Sequence, residues 1–302
     1  MNHTKQDHSR LASSGTRIWS LERAKFAGLV IASVIGLQVP LRGQALWRVH
    51  GAYDVGAAPE WYVGIGDVNG DQRDDYAVSG RGVHPAGGSG GVGAFDGPTG
   101  QQIWFAPHRF LHDGILALNS VGDLNGDGVS DVAITAANVP HNGLGPGDVC
   151  TFLSGATGAY LSEIVGLNNF SYNTAFNGVH GLDDLNGDGV PEILLQWWDF
   201  EFRVFSGAAP HPLIYVVPGA TGEGRDHDVL DDLDGDGIRD FAVSYASLTQ
   251  PPSIHIHSAA TGQILYTIPL CIYVTALGDV DGDGVGDLAT GCPTQLIGGL
   301  YY

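Results

Sequence analysis

Asp123-Leu124-Asn125-Gly126-Asp127-Gly128-Val129-Ser130-Asp131 is one of five nine-residue stretches that align without gaps along this 302-residue chain. The others read DVNGDQRDD (67–75), DLNGDGVPE (184–192), DLDGDGIRD (232–240) and DVDGDGVGD (279–287). Their starts lie 56, 61, 48 and 47 residues apart, about the length of one four-stranded sheet unit. A β-like stretch follows each loop, such as Tyr76 to Val78 or Val132 to Ile134, and an apolar one precedes it, such as Trp61 to Ile65 or Tyr273 to Leu277. Between the loops recurs a glycine-bearing turn: Asp96 to Gly100, Ser154 to Gly158 and Ser258 to Gly262, with Ser206 to Pro210 as a worn copy. The repeating unit is therefore strand, acidic loop, strand, linker, strand, turn, strand.

Composition agrees with an all-β chain. There are 46 glycines and a single methionine, and the 43% apolar content is ample for a packed core. Beyond residue 45 we count 31 acidic against 7 basic side chains, and more than half of the acids sit inside the five loops. Such a surface repels nucleic acid and anionic membranes. Residues 1–45 differ. A basic stretch ending in Arg23 and Lys25 precedes the apolar run Phe26 to Val39, and Gly43-Gln44-Ala45 offers a small-x-small cleavage pattern. This reads as an export signal, cleaved or retained as an anchor, with no other membrane-inserting segment, and it predicts a secreted or cell-surface protein. Cys271 and Cys292 flank the fifth loop and either pair across a hairpin or stay free; Cys150 is expected to be a buried, inert thiol.

The loops place hard oxygen donors on alternating residues. Position 1 is Asp67, Asp123, Asp184, Asp232 or Asp279, position 3 is Asn69, Asn125, Asn186, Asp234 or Asp281, and position 5 is Asp71, Asp127, Asp188, Asp236 or Asp283. Position 9 adds Asp75, Asp131, Glu192, Asp240 or Asp287, and position 7 offers a backbone carbonyl from Arg73, Val129, Val190, Ile238 or Val285. This donor set suits Ca²⁺ at up to five sites, and the lack of His or Cys argues against zinc or copper. A helix-flanked calcium loop would need an acid at position 12, where Val78, Ile134, Leu195, Val243 and Thr290 stand. Loop one has Gln72 where the others have Gly128, Gly189, Gly237 and Gly284, so on its nine residues it ranks as the weakest site.

These DxNxDGxxD cores with β-rich flanks resemble FG-GAP/VCBS repeats, similar to those in the propeller of integrin α subunits, over residues 46–302. The resemblance implies a calcium-stabilised β-propeller of the kind found in extracellular adhesion or carbohydrate-related proteins. A clean Phe-Gly signature is missing, and only Gly291-Cys292-Pro293 approaches Gly-Ala-Pro. Five units imply five blades. Leu46 to Val49 resembles a strand that follows a turn, and Gly299 to Tyr302 one that precedes it, so the termini are expected to close one blade.

Catalytic signals are sparse. Gly87-Gly88-Ser89-Gly90-Gly91 matches a nucleophile motif only formally, in a glycine-rich linker. His255 and His257 alternate on one strand and could share a metal, but no third ligand is evident, and a surface pair is the expectation. Trp197, Trp198 and Phe200 either stack on sugars or fill gaps between blades. The strands before the loops bring Asn177, His180, Arg225, Asp226, His227 and Asp228 toward one end of a central channel, as a ligand site or a polar, water-filled lining. The functional expectation is a non-enzymatic binding or adhesion module for an extracellular glycan or protein. The alternative is a lyase or hydrolase acting on polysaccharide at the channel mouth.

Overall fold

Each acidic loop joins two antiparallel strands, as the β-branched and aromatic residues flanking it favour. The computed structural model describes residues 61–80, 91–107, 115–140, 146–166, 178–196, 201–217, 223–246, 251–292, 296–297 and 300–301. The expectations for residues 1–45, the nucleophile-like motif up to Gly90, the Trp197–Phe200 run, Asn177 and terminal closure through Leu46 to Val49 lie outside them. Among the described residues there is no helix, and so none long and apolar enough to cross a membrane.

The first sheet is β1 (Trp61–Gly66), β2 (Asp75–Gly80), β3 (Gly91–Phe95) and β4 (Gln102–Pro107). The second is β5 (Ile115–Gly122), β6 (Asp131–Pro140), β7 (Pro146–Leu153) and β8 (Tyr160–Gly166). The third is β9 (Val179–Gly181), β10 (Ile193–Gln196), β11 (Phe202–Phe205) and β12 (Leu213–Val216). The fourth is β13 (Glu223–Val229), β14 (Phe241–Ala246), β15 (Ser253–His257) and β16 (Ile264–Pro269). Two hairpins follow, β17 (Tyr273–Gly278) with β18 (Asp287–Gly291) and β19 (Leu296–Ile297) with β20 (Leu300–Tyr301). Every four-stranded sheet is an antiparallel meander, with the acidic loop between its first two strands and the glycine turn between its last two.

The first strands stand side by side, β1 against β5, β5 against β9, β9 against β13 and β13 against β17. Sheets set radially with their first strands innermost make a β-propeller. Its core lies between blades. Ile65, Val92 and Trp104 pack with Leu118, Val132 and Leu153 of the next sheet. Equivalent clusters join the second sheet to the third, the third to the fourth, and the fourth to the β17–β18 hairpin. Phe152, Phe202 and Phe241 are fully buried there, each worth roughly 1.5–3 kcal/mol against exposure.

Outer strands are latched by one repeated contact. The third residue of the last strand reaches the glycine turn of the following blade. Trp104 Nε1 donates to the Gly155 carbonyl (2.6 Å), Tyr215 Oη to the Ala259 carbonyl (2.7 Å), and Ser162 Oγ to His211 Nε2 (2.8 Å). The two cysteines flanking loop five are joined as the Cys271–Cys292 disulfide, and Cys150 is buried with its thiol pKa pushed up by burial.

His255 and His257 depart from expectation. Both are buried, at 9% and 0% exposure, because β15 is covered on both faces. His257 ends the third strand of its blade, where Phe95, Leu153 and Phe205 end theirs, so it stands in an apolar slot. It stacks on Phe241 (5.2 Å, 7°), its Nδ1–H donates to the Gly262 carbonyl (3.1 Å), and its Nε2 has no partner among the described residues.

Burial lowers the His257 pKa to about 4, below the ordinary 6.5, so the fold keeps the imidazole neutral. Its contribution to stability is complete above pH 6.5 and is lost as pH falls toward 4. Urea unfolding in chelator at pH 7.5 and pH 4.5 is expected to show His257→Phe losing roughly 2–3 kcal/mol less than wild type over that interval. Equal losses would show that His257 carries none of the acid sensitivity.

Candidate metal centres

In every loop the first aspartate folds back on its own chain. Asp67 Oδ1 accepts from the amides of Gly70 (2.7 Å) and Asp71 (3.0 Å), and Oδ2 from Gln72 (2.7 Å). Asp123, Asp184, Asp232 and Asp279 repeat the pattern with the amides of positions 4, 5 and 6. The arc requires position 4 at φ between 77 and 82°, and glycine stands there for its conformation, since a Cβ would meet nothing within 4 Å. Position 6 is also left-handed, at φ 85–89° in four loops, whereas Gln72 holds it at 68° in loop one. Position 3 accepts from the position 5 amide and position 5 from the position 7 amide in all five loops.

Position 9 does a different job. Asp75, Asp131, Glu192 and Asp240 are buried, at 0–1% exposure. One oxygen accepts from the position 2 amide, as in Val68 to Asp75 (2.9 Å), Leu124 to Asp131 (2.8 Å), Leu233 to Asp240 (2.8 Å) and Val280 to Asp287 (2.9 Å). The other accepts from the outer glycine turn, at Gly97 (2.8 Å) and Gly155 (2.9 Å). Those two glycines press against the loop, and a Cβ on either would lie 1.9 or 1.8 Å from the carbonyl oxygen of Asp74 or Ser130. The fourth blade has Ala259 instead, and its bond to Asp240 is stretched to 3.4 Å.

Carboxylate oxygens of Asp184, Asp188 and Glu192 lie within 4.8 Å of one another, as do those of Asp232, Asp234 and Asp240, and those of Asp279, Asp281 and Asp287. Ligands on opposite sides of a Ca²⁺, each about 2.4 Å from it, stand about 4.8 Å apart. A carboxylate that accepts one or two amides still has lone pairs to offer a cation. The crowding has an electrostatic cost. Burial, with the Asp127 and Asp123 charges beside it, pushes the Asp131 carboxyl up to about 6. Burial first, then the neighbouring aspartates, raises Glu192 and Asp240 in the same way. The position 1 groups Asp184 and Asp232 are instead held low by the amides of Gly189 and Gly237. A hard dication is the species that this oxygen-only donor set fits.

Neighbouring loops also touch one another. Arg239, at position 8 of loop four, places its amide and its Nε each 2.7 Å from the carboxylate of Asp183, which precedes loop three. Pro191 covers Gly122, and Gly286 leaves just enough room for Asp231. In loops three, four and five, position 8 thus meets the residue before position 1 of the preceding loop, a contact between residues too far apart in sequence for the repeat to reveal.

Around the channel, the residues four places before each loop are Val63, Asn119, His180, Asp228 and Thr275. Asn119 Nδ2 donates to the Val179 carbonyl (2.9 Å) and to His180 Nδ1 (3.0 Å). His180 Nδ1 lies 3.9 Å from Asp228 Oδ1, and Asp228 Oδ2 accepts from the Thr275 hydroxyl (2.9 Å) and the Ala276 amide (3.0 Å). His180 and Asp228 come together as expected, joined by Asn119 and Thr275, which only the common offset from the loops would have revealed. Asp226 and His227 are instead buried, at 8% and 9% exposure. Asp226 accepts from the Val274 amide (3.1 Å), and His227 packs against Phe202 and edge-on to His180. Asn177 and the Arg225 side chain lie outside the described residues.

Two substitutions separate the structural and metal duties of a loop. In chelator, Asp131→Ala is expected to cost about 1–3 kcal/mol in urea unfolding, because two buried amides lose their acceptor. Asp127→Ala, on the exposed rim, is expected to cost about 0.5 kcal/mol under the same conditions. Equal costs in chelator would refute this division.

No protein-family model matches the sequence, and no curated protein matches it. Among solved structures, the chain is similar to BBS1N in complex with ARL6DN, with a TM-score of 0.51 and 10% identity over 78% of this chain and 63% of that chain. It is also similar to the rhamnogalacturonan lyase YesW, with a TM-score of 0.43 and 15% identity over 78% and 56% of the two chains. The Dos1 propeller gives a TM-score of 0.43 and 10% identity over 67% and 47%. The chain therefore spans less than two thirds of the length of each of these structures, and at such identities the likeness concerns the fold alone.

Proposed function

We propose that this chain is an exported, calcium-stiffened β-propeller of five blades that binds an extracellular glycan or protein through its channel mouth. The observation that carries the reading is the fivefold recurrence of one nested-carboxylate loop at the same point of each unit. A bound Ca²⁺ would neutralise the clustered carboxylates and tie loop, strand and outer turn into one rigid corner. Asp, Asn and Glu at positions 1, 3, 5 and 9, with the position 7 carbonyls, would hold it. The Cys271–Cys292 disulfide supports an oxidising compartment, in line with the export signal read from residues 1–45.

Exposure supports closure into five blades. Five places before each loop, Leu118, Val179 and Val274 are buried against the preceding blade, whereas Tyr62 in the same place is 80% exposed. At position 2, Val68, Leu124, Leu185 and Leu233 pack into interface clusters, whereas Val280 is 69% exposed. Among the described residues, Tyr62 of the first blade and Val280 of the fifth unit are thus left open at the two ends of the series, and apposing those ends would close the ring. At the channel, Asn119, His180, Asp228 and Thr275 offer mixed donors and acceptors of the kind that fix hydroxyl groups.

Calorimetric calcium titration is expected to give up to five bound ions and a thermal midpoint raised by ten degrees or more, reversed by chelator. A glycan-binding screen run with and without chelator, beside an assay for unsaturated-sugar release, tests the second half. Release abolished by His180→Ala would replace the binding module with a lyase, and the absence of calcium uptake would refute the reading of the loops.

A further inference from the structure

We infer that Asp96, which lies outside the nine-residue motif, orients Asn69 for the cation of loop one and gives that site its fourth carboxylate; the inference rests on the calcium reading above. An asparagine at position 3 can ligate only through Oδ1, so its NH₂ group must be held facing elsewhere. Three loops carry asparagine there, and each amide is pinned differently. Asn125 Nδ2 donates to Asp127 Oδ2 (2.9 Å), and Asn186 Nδ2 to Glu192 Oε1 (2.6 Å). In both, the acceptor is itself a ligand candidate of the same loop, so one of its lone pairs is spent on the amide. Asn69 Nδ2 donates instead to Asp96 Oδ2 (2.8 Å), 27 residues away in the outer turn of the same blade.

Asp96 is placed for this task. It opens the glycine turn, where the other blades have Ser154, Ser206 and Ser258. It is 9% exposed, and its Oδ1 is committed to the turn, accepting from the Thr99 amide (2.7 Å) and the Thr99 hydroxyl. Only Oδ2 faces the loop. Asp71 and Asp75 thereby spend no lone pair on the Asn69 amide, and Asp67, Asp71, Asp75 and Asp96 equal in number the four carboxylates of loops four and five. Ranked on its nine residues loop one stands last; Asp96 offsets that deficit.

The test is a mutant cycle on the full chain, with calcium uptake followed by NMR at the Gly70, Gly126 and Gly187 amides, which report on loops one, two and three separately. Asp96→Ser is expected to weaken the Gly70 site by about tenfold or more and leave the other two unchanged. In an Asn69→Asp background there is no amide to orient, and the same substitution is expected to leave the Gly70 site unweakened. Asp96→Asn keeps an acceptor for Thr99 but sets NH₂ against NH₂, so it is expected to weaken the Gly70 site as Asp96→Ser does, and it serves if the serine variant fails to fold. A loss of equal size in both backgrounds would mean that Asp96 only supports the turn, overturning the inference. Normal uptake at the Gly70 site of Asp96→Ser would overturn it while leaving the calcium reading intact. No uptake by wild type at any loop would remove both.

Discussion

The buried carboxylate at position 9 is the constraint on which the first four blades depend. Asp75 and Asp131 lie under the surface and hold two otherwise unrelated backbone segments, the start of the acidic loop and the outer glycine turn. Burying an anion is unfavourable unless donors surround it, and here the donors are fixed amides that need little reorganisation. The turn must come close enough to donate, which is why Gly97 and Gly155 sit where a Cβ would collide with the loop. The stretched Ala259 bond in the fourth blade shows what one methyl group does to that approach.

A second level of order lies between blades. Among the described residues, the four large hydrophobic clusters occupy the interfaces between blades. Polar contacts repeat at three radii: the belt of Asn119, His180, Asp228 and Thr275 inside, the Arg239–Asp183 contact at the loops, and the Trp104, Ser162 and Tyr215 latches outside. Each joins a blade to its neighbour. The channel belt is also the place where the inner strands leave polar groups partly open to solvent, as expected for a binding surface carried on a rigid scaffold.

Much of this architecture was legible from the residues. The strands, the loops, the glycine turns, the worn third turn and the buried Cys150 all follow from patterns of short range. The misreadings involve longer range. His255 and His257 looked like a surface pair because alternation marks a two-faced strand, and β15 is covered on both faces. Asp226 and His227 adjoin Asp228 in sequence, yet both are buried beside the channel belt rather than in it. Alternation turns His227 to the face opposite Asp228, whereas Asp226 shares the face of Asp228 but is buried against the Val274 amide.

By itself, the sequence determined the all-β class, the repeating unit and the donor pattern of the five loops. Those properties arise from φ preferences, strand propensity and hydrogen bonds that close within nine residues. Only the tertiary structure decided which carboxylate is buried, that Asp96 rather than a loop residue holds Asn69, and that Arg239 reaches Asp183. These contacts join residues from 22 to 56 positions apart. Their partners are chosen by how blades pack, and no local rule encodes that choice.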